Sequence, residues 1–130
     1  MRIRIDIPPE RIADMMVGAI EGNSMTRSWC AGVYLRGAWA RRQKQLEAPW
    51  YSDPKLYKGS FLLEVHEIAE ETAPWKIKKH AINGARFRKG LALMATEASS
   101  HFAAMLGEAD DNVTHDVFLQ YVVLGKLVYG

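Results

Sequence analysis

The most restrictive feature of this sequence is its C-terminal segment, which reads DNVTHDVFLQYVVLGKLVYG. Apolar residues over 117–124 occupy more than one face of a helix, and only Gln120 interrupts them. Such a helix must run through a protein core or lie against a partner, because water would otherwise contact its apolar faces. We expect Leu127, Val128 and Tyr129 to pair as a short strand or to pack on neighbouring helices. The whole segment is therefore predicted to be buried and structural.

The composition of the chain is that of one globular domain. Its 130 residues, 48% hydrophobic and 25% charged, suit a single domain spanning residues 1–130. The net charge of +2, from 17 basic and 15 acidic residues, is too balanced to indicate nucleic-acid binding by itself. Cys30 is the single cysteine, so an intrachain disulfide is excluded, which fits a reducing cytoplasm. The N-terminus has no apolar region typical of a signal peptide, and no apolar run approaches a membrane helix of ~18 residues. We expect a cytoplasmic protein with no membrane partner.

Hydrophobic periodicity predicts an α+β fold. Strands are predicted in MRIRIDI, WCAGVYLRG, SFLLEVHEI and WKIKKHAI. Helices are predicted in PERIADMMVGAIEG, in GARFRKGLALMATEA after a cap at Asn83, in HFAAMLG, and from about Val113 to Leu124 after caps within 110–112. We expect NSMTRS to be a loop, PWYSDP a turn, and AWARRQKQLEA either a short exposed helix or an extension of the preceding strand. This order predicts a mostly antiparallel sheet packed against about three to four helices in a single domain.

Two candidate reactive sites in the sequence are incomplete. His66, Glu67 and Glu70 resemble half of a zinc-protease helix, but no histidine stands four residues after His66, where the second one is needed. The same stretch favours a strand, which would not bring these side chains to one face. Cys30 has no adjacent base in the sequence, so we interpret it as a buried and inert thiol.

The acidic stretch DDNVTHD lacks the glycine and the ligand spacing of a calcium loop. Asp110 and Asp111 are better explained as helix caps, and we expect His115 and Asp116 to face solvent or a partner. With no complete motif among four histidines and one cysteine, we predict no enzymatic activity, no catalytic or metal site and no cofactor.

Segregated charge provides the strongest candidates for partner binding. The first basic cluster lies in WKIKKHAINGARFRKG and contains no carboxylate; its members are Lys76, Lys78, Lys79, Arg86, Arg88 and Lys89. The second basic cluster consists of Arg36, Arg41, Arg42 and Lys44. If the two clusters meet in space, they can bind phosphates or an acidic protein face. The alternative is that both are solvated faces that pair with the acidic groups at 64–71 and 108–116.

Aromatic residues in predicted loops are further candidate contacts, since Trp, Tyr and Arg dominate interface energetics. Trp50 and Tyr51 lie in the predicted turn, and Trp39 and Trp75 lie beside the two basic clusters. We expect these tryptophans to be exposed.

Four stretches carry a resemblance to a known family. They are IADMMVGAIEG, WYSDP, FRKGLALMATEASSHFAAML, and the ending DVFLQ followed by G and VYG, which is the most specific. Together they resemble a family of small proteins encoded by tailed phages, prophages and related mobile elements. Asn23 and Ser28 depart from the family pattern, which has a second glycine and a tyrosine in this turn. The resemblance transfers no catalytic residue; it implies a phage product that acts in the cytoplasm of a bacterial host.

Small phage accessory proteins commonly bind host machinery, so the resemblance implies a non-enzymatic inhibitor of a host or defence system, comparable to an anti-CRISPR protein. Its partner would be a bacterial protein or ribonucleoprotein complex, and we expect a homodimer because the last helix has surplus apolar surface. One alternative is an oligomeric sponge that sequesters a nucleotide immune signal, with Arg86, Arg88 and a nearby tryptophan as ligands. Another is a nucleic-acid-binding protein that uses the 76–89 stretch, with steep salt dependence.

Overall fold

The computed structural model describes residues 6–69 and 76–130. In chain order the elements are α1 (Pro9–Ile20), α2 (Ser24–Arg27), β1 (Cys30–Arg36), α3 (Gly37–Arg41), α4 (Pro54–Tyr57), β2 (Leu62–Ile68), β3 (Ile77–Asn83), α5 (Gly84–Glu97), α6 (Ser99–Leu106) and α7 (Asn112–Leu124), with short 3-10 turns at Gln43–Gln45 and Trp50–Ser52. The predicted α+β class, the antiparallel sheet and the four longer helices are confirmed.

The sheet has the strand order β1-β2-β3, and both pairs of neighbours are antiparallel. Arg36 at the end of β1 and Asn83 at the end of β3 both lie opposite Leu62, where β2 begins. Side chains alternate between the two faces, and Leu63 and Val65 of β2 are buried beneath the helices. The other face of β2 carries residues that are exposed or partly exposed. The helices therefore cover one face of the sheet.

Helix α7 runs through the core, as its apolar pattern predicts. Every residue from Asp116 to Val123 is buried, on all sides of the helix. Gly90 of α5 allows the close approach of the two helices, because a Cβ there would lie 2.3 Å from the carbonyl oxygen of Tyr121. The apolar surface of α7 is thus buried within one chain and does not by itself require a second copy, and the homodimer, expected also from aromatic residues in predicted loops, stays a prediction.

The segment predicted to be a loop, NSMTRS, contains α2, whereas the predicted turn PWYSDP contains the 3-10 turn Trp50–Ser52 and ends where α4 begins. The side chain of Asn23 accepts hydrogen bonds from the backbone of Met25 and Thr26, and so caps α2. Asp53 accepts from the backbone N–H of Lys55 and caps α4 in the same way. A single capped turn has no hydrophobic periodicity to show in the sequence, so only the caps themselves signalled these helices.

Several other expectations are corrected or lie outside the described residues. Leu127 and Val128 are 50% and 47% exposed, so the prediction that they pack or form a strand is wrong. The predicted first strand falls mostly before residue 6, and Glu70, Glu71 and Trp75 fall within 70–75, so these expectations lie outside the described residues. No helix in the described parts of the chain has the length and apolar character needed to cross a membrane.

Candidate functional site

Asp116, Gln120 and Tyr129 of the C-terminal segment form a buried network of hydrogen bonds. Asp116 is 7% exposed and accepts hydrogen bonds from the Thr26 hydroxyl at 2.8 Å and the Trp29 indole N–H at 2.9 Å. Its second carboxylate oxygen accepts from the side-chain amide of Gln120 at 2.8 Å. The expectation that Asp116 faces solvent or a partner is therefore wrong, because three donors replace the water that it loses.

Gln120 joins this buried carboxylate to the end of the chain. Its side-chain oxygen accepts from the backbone N–H groups of Val128 and Tyr129, and its amide donates to the Tyr129 carbonyl. The Tyr129 ring stacks on Trp29, with centroids 5.7 Å apart and planes inclined by 7°. Gln120 and Tyr129 thus hold the residues after α7 against the core, which is a structural role.

A second chain of polar contacts extends from Tyr129 across the sheet. The Tyr129 hydroxyl donates to Glu67, whose other oxygen lies 2.8 Å from His80 Nε2. The guanidinium of Arg86 lies 3.3 Å from His80 Nδ1 and donates to the carbonyl oxygen of Val123 at 2.7 Å. Because arginine can only donate, Nδ1 accepts and Nε2–H donates to Glu67. Arg86 therefore secures the C-terminal turn of α7.

The side chains that carry catalytic or metal chemistry are separated in the structure. Within residues 6–69 and 76–130, no group of three or more His, Cys, Asp or Glu side chains is placed to hold a metal ion. His66 and Glu67 are neighbours on β2 and project to opposite faces of the sheet. Burial raises the pKa of the Cys30 thiol to about 11, which keeps it protonated and weakly nucleophilic at neutral pH. The interpretation of Cys30 as a buried thiol is confirmed.

His115 is also held inside the fold. Its Nε2 donates to Asp110, which accepts from Arg11 at 2.7 Å, and its ring lies over Gly18, where a Cβ would meet Nδ1 at 2.1 Å. Nδ1 is buried without a hydrogen-bond partner among the described residues. His115 thus packs α7 against α1, whereas solvent or partner contact was expected.

Only parts of the two basic clusters lie at the same end of the sheet. Arg36 ends β1 and leads into α3, while Asn83 ends β3 and leads into α5. Both ends flank the start of β2, so they are two strand spacings, about 10 Å, apart. Arg41 and Arg42 on the α3 side are exposed, and so are the cations of α5. The sequence could not reveal this convergence, because it depends on strand pairing.

The first basic cluster does not form one continuous surface. Lys78 lies beside Glu67 on the helix-covered face of β3, whereas Lys79 lies on the opposite face beside His66. Lys76 precedes β3 at the end far from α5 and is exposed. The 76–89 stretch is therefore divided between two faces and two ends of the sheet.

The cations of α5 also point in different directions. Arg86 and Arg88 are two positions apart, which places them about 200° apart around the helix, with Lys89 between them on the solvent side. Arg86 bonds to the end of α7, and Arg88 lies at the rim of a cavity of about 430 Å³ that Phe61 and other apolar side chains line. Arg86 is therefore exposed but also linked to the fold through its hydrogen bond to α7.

The candidate tryptophans are less exposed than expected. Trp50 and Tyr51 are half-buried, lie edge to face at 5.4 Å, and pack against the core. The Tyr51 hydroxyl donates to Glu21 at 2.6 Å, and burial raises its pKa to about 12. Trp39 is also half-buried, with the Arg42 guanidinium carbon 4.6 Å from its ring centroid. Of these aromatic residues, Trp39 is the one that shares a surface with basic side chains.

A group on the uncovered face of the sheet was missed by sequence reasoning. The guanidinium of Arg36 and the imidazole of His66 both contact one oxygen of Glu64, at 3.2 Å and 2.6 Å. The hydrogen bond from His66 holds the pKa of Glu64 below its usual range. The Tyr34 ring lies 4.6 Å from that of His66 and 5.2 Å from the Arg36 guanidinium carbon. The available signal was the alternation in β1 and β2, which places these four side chains on one face.

The alternative that basic and acidic groups pair holds in part. Arg36 pairs with Glu64, and Arg11, outside both clusters, pairs with Asp110.

Comparison with known proteins finds no matching protein-family model, no matching curated protein and no matching solved structure.

Proposed function

We propose that this chain is a non-enzymatic accessory protein of a phage or related mobile element that inhibits a bacterial host or defence complex by covering one of its surfaces, as an anti-CRISPR protein does. The observation that carries the proposal is a set of exposed cations at one end of the sheet. Arg41, Arg42, Arg88 and Lys89 are exposed, and none of them forms an ion pair with another described residue. Their charge is therefore available to an acidic partner.

The α3 side offers the better anchor within this set. Arg42 lies over the ring of Trp39 at 4.6 Å, so its guanidinium is held in place by a cation–π contact and by the ring's own packing. A pre-positioned arginine loses less side-chain entropy on binding than a freely moving one. Arginine and tryptophan are also the residue types that most often dominate interface energies. We therefore assign the central contact to Arg41 and Arg42 and a supporting contact to Lys89 and Arg88.

The proposal predicts a partner with an acidic face, which can belong to a protein or a ribonucleoprotein complex. Complementary charge accelerates association and suppresses wrong partners more than it adds raw affinity. Truncating or reversing these cations should therefore weaken capture of the partner without altering the fold of the inhibitor.

The test uses the double variant Arg41→Glu/Arg42→Glu and the matched control Arg27→Glu/Lys58→Glu, which makes the same change in charge at exposed cations outside α3 and α5. Affinity capture from a bacterial lysate, with identification of the retained complex, is combined with a phage-infection assay. We expect the α3 double variant to lose at least about tenfold in captured partner and in inhibition, because each buried or rim charge contact contributes to recognition. The control double variant should retain both.

Equal loss in the two variants would show that only net charge matters, which contradicts a specific surface. Full activity of the α3 double variant would also contradict the proposal. A nucleotide that co-purifies with the chain, with no retained protein, would favour the nucleotide sponge instead.

A further inference from the structure

We propose that the open face of the sheet binds single-stranded nucleic acid, with bases stacked on Tyr34 and His66 and phosphates held by Arg36 and Lys79. The open face is the side of the three strands that faces away from the helices. The described residues of this face on which the proposal depends are Tyr34, Arg36, Leu62, Glu64, His66 and Lys79.

Side chains of the open face are exposed, so a ligand can reach this face. Tyr34 is 40% exposed and Leu62 is 37% exposed, whereas residues such as Leu63 and Ile82, on the opposite face, are almost completely buried. Both side chains therefore present apolar surface on the face of the sheet that the helices leave open. The face therefore has both room for a ligand and apolar surface to cover.

The aromatic rings lie close to the backbone of the sheet, which makes the surface suitable for flat ligands. A Cβ at Gly32 would lie 2.6 Å from the Tyr34 hydroxyl oxygen, so the ring lies over the glycine. The Tyr34 and His66 rings are 4.6 Å apart and inclined by 48°, and the Arg36 guanidinium is on the same surface at 5.2 Å from the Tyr34 centroid. Aromatic rings and planar guanidinium groups on a sheet are the surfaces on which unpaired bases stack.

The charge on the open face favours a polyanion. Arg36 and Lys79 are cationic, and the one carboxylate among its described residues, Glu64, already accepts hydrogen bonds from Arg36 and His66. Arg41, in α3 directly after β1, extends the positive charge at the end of the sheet. A phosphate backbone that crosses from β1 to β3 would therefore meet cations on both outer strands.

A second copy of the chain fits this face less well. Two copies placed face to face would oppose two surfaces whose described residues each carry two basic side chains, Arg36 and Lys79, against the one carboxylate of Glu64, and like net charges across an interface are unfavourable. Double-stranded nucleic acid would satisfy the cations, but its paired bases cannot stack on Tyr34. The combination of stacking rings and cations thus selects a single strand. Because the proposal depends on Tyr34 and His66, which the inhibitor function does not require, the two proposals can fail separately.

The test measures binding by fluorescence anisotropy with labelled oligonucleotides of about 20 nucleotides in low salt, as single-stranded DNA, single-stranded RNA and duplex DNA. We expect single strands to bind at least about tenfold more tightly than the duplex, because only they offer free base faces. The DNA and RNA arms identify which single strand is preferred. Tyr34→Ala should weaken single-strand binding by about 5- to 100-fold, the loss expected for one stacked base.

Two variants separate stacking from folding and from charge. Tyr34→Phe should bind within about twofold of wild type, since it keeps the ring, whereas Tyr34→Leu should bind like Tyr34→Ala while retaining apolar bulk. Lys79→Glu should weaken binding and reduce the slope of log affinity against log salt by about 0.7 or more, since at least one phosphate contact is lost. The control Lys58→Glu, on an exposed cation at the end of α4, should change neither quantity appreciably.

The proposal is overturned if wild type does not bind single strands at micromolar concentration in low salt. It is also overturned if duplex binds equally well and Tyr34→Leu leaves affinity unchanged. Light scattering that shows a wild-type dimer, dissociated by Tyr34→Leu and without affinity for oligonucleotides, would assign the open face to a second copy.

Discussion

Replacing Tyr129 by alanine should destabilise the protein far more than replacing its neighbour Leu127, although both are large side chains in the same segment. Tyr129 is half-buried, its ring stacks on the buried Trp29, and its hydroxyl donates to Glu67. Burial, together with this hydrogen bond, raises the pKa of the Tyr129 hydroxyl to about 12, so it remains a donor throughout the physiological range. Leu127 is 50% exposed and makes no comparable contact.

The expected magnitude follows from the contacts of Tyr129. A hydrogen bond to a charged acceptor contributes about 1.5–3 kcal/mol, and a stacked aromatic pair contributes about 0.5–1.5 kcal/mol beyond its buried area. With roughly 1 kcal/mol for the part of the ring that is buried, Tyr129→Ala should cost about 3–5 kcal/mol. Leu127→Ala should remain within about 0.5–1 kcal/mol, as expected for an exposed position. Deleting residues 126–130 should cost at least as much as Tyr129→Ala, because the backbone partners of Gln120 are lost as well.

Urea unfolding of the variants measures these differences, and a shift in midpoint at constant slope gives the change in stability. Tyr129→Phe keeps the stacked ring and removes the hydroxyl, so it should fall between wild type and Tyr129→Ala. Similar losses for Tyr129→Ala and Leu127→Ala would refute the reasoning, since the stability would then come from general apolar contact. An unchanged midpoint after deletion of residues 126–130 would show that the contacts of this segment do not stabilise the fold, and would refute the reasoning.

Three further predictions test other parts of the fold. Arg86→Glu should lower stability by about 1.5–3 kcal/mol in urea unfolding because it removes a charged donor to the end of α7, whereas Lys89→Glu should have almost no effect. Gly90→Ala should lower the melting temperature sharply, because its Cβ would lie 2.3 Å from a backbone oxygen of α7; wild-type stability would contradict the helix contact. Backbone N–H donors lower the pKa of Asp53 and Asp111 below their unfolded values of about 4, so their contribution is present above that pH and is lost as pH falls through the folded pKa values. Asp53→Asn and Asp111→Asn should each flatten the fall in melting temperature below about pH 4, and an unchanged acid limb would contradict this.

Sequence reasoning succeeded where the signal lies within a few residues. Asn83 accepts from the backbone N–H of Arg86, and Asp111 accepts from that of Thr114, as their positions before apolar helices predicted. The stretch SFLLEVHEI was likewise predicted to be a strand, and it forms β2. Capping and alternation depend on local geometry alone, so no knowledge of the tertiary fold was needed.

The errors concern side chains whose partners are far away in the sequence. Asp116 looked solvated because its donors, Thr26 and Trp29, are 90 and 87 positions away. A signal was nevertheless present, because Asp116 and Gln120 are four residues apart on one face of a helix that is otherwise apolar on several sides. Two polar residues in such a position must be buried together with donors and acceptors. The contacts of Arg86 with α7 offered no comparable local sign.

Three residues in the stretches on which the resemblance to the phage family was based, Asp116, Gln120 and Tyr129, also stabilise the fold. Asp116, Gln120 and Tyr129 are occupied by one another and by buried neighbours, so they have no capacity left for an external partner. Asn23 donates to the carbonyl oxygens of Gly18 and Asn112 and thereby links α1, α2 and α7. The turn between α1 and α2 is therefore held by buried hydrogen bonds, as the end of the chain is. Under the two proposals above, recognition is assigned to the exposed cations and to the open face, where Tyr34 and its neighbours lie outside the buried hydrogen bonds of Asp116 and Gln120.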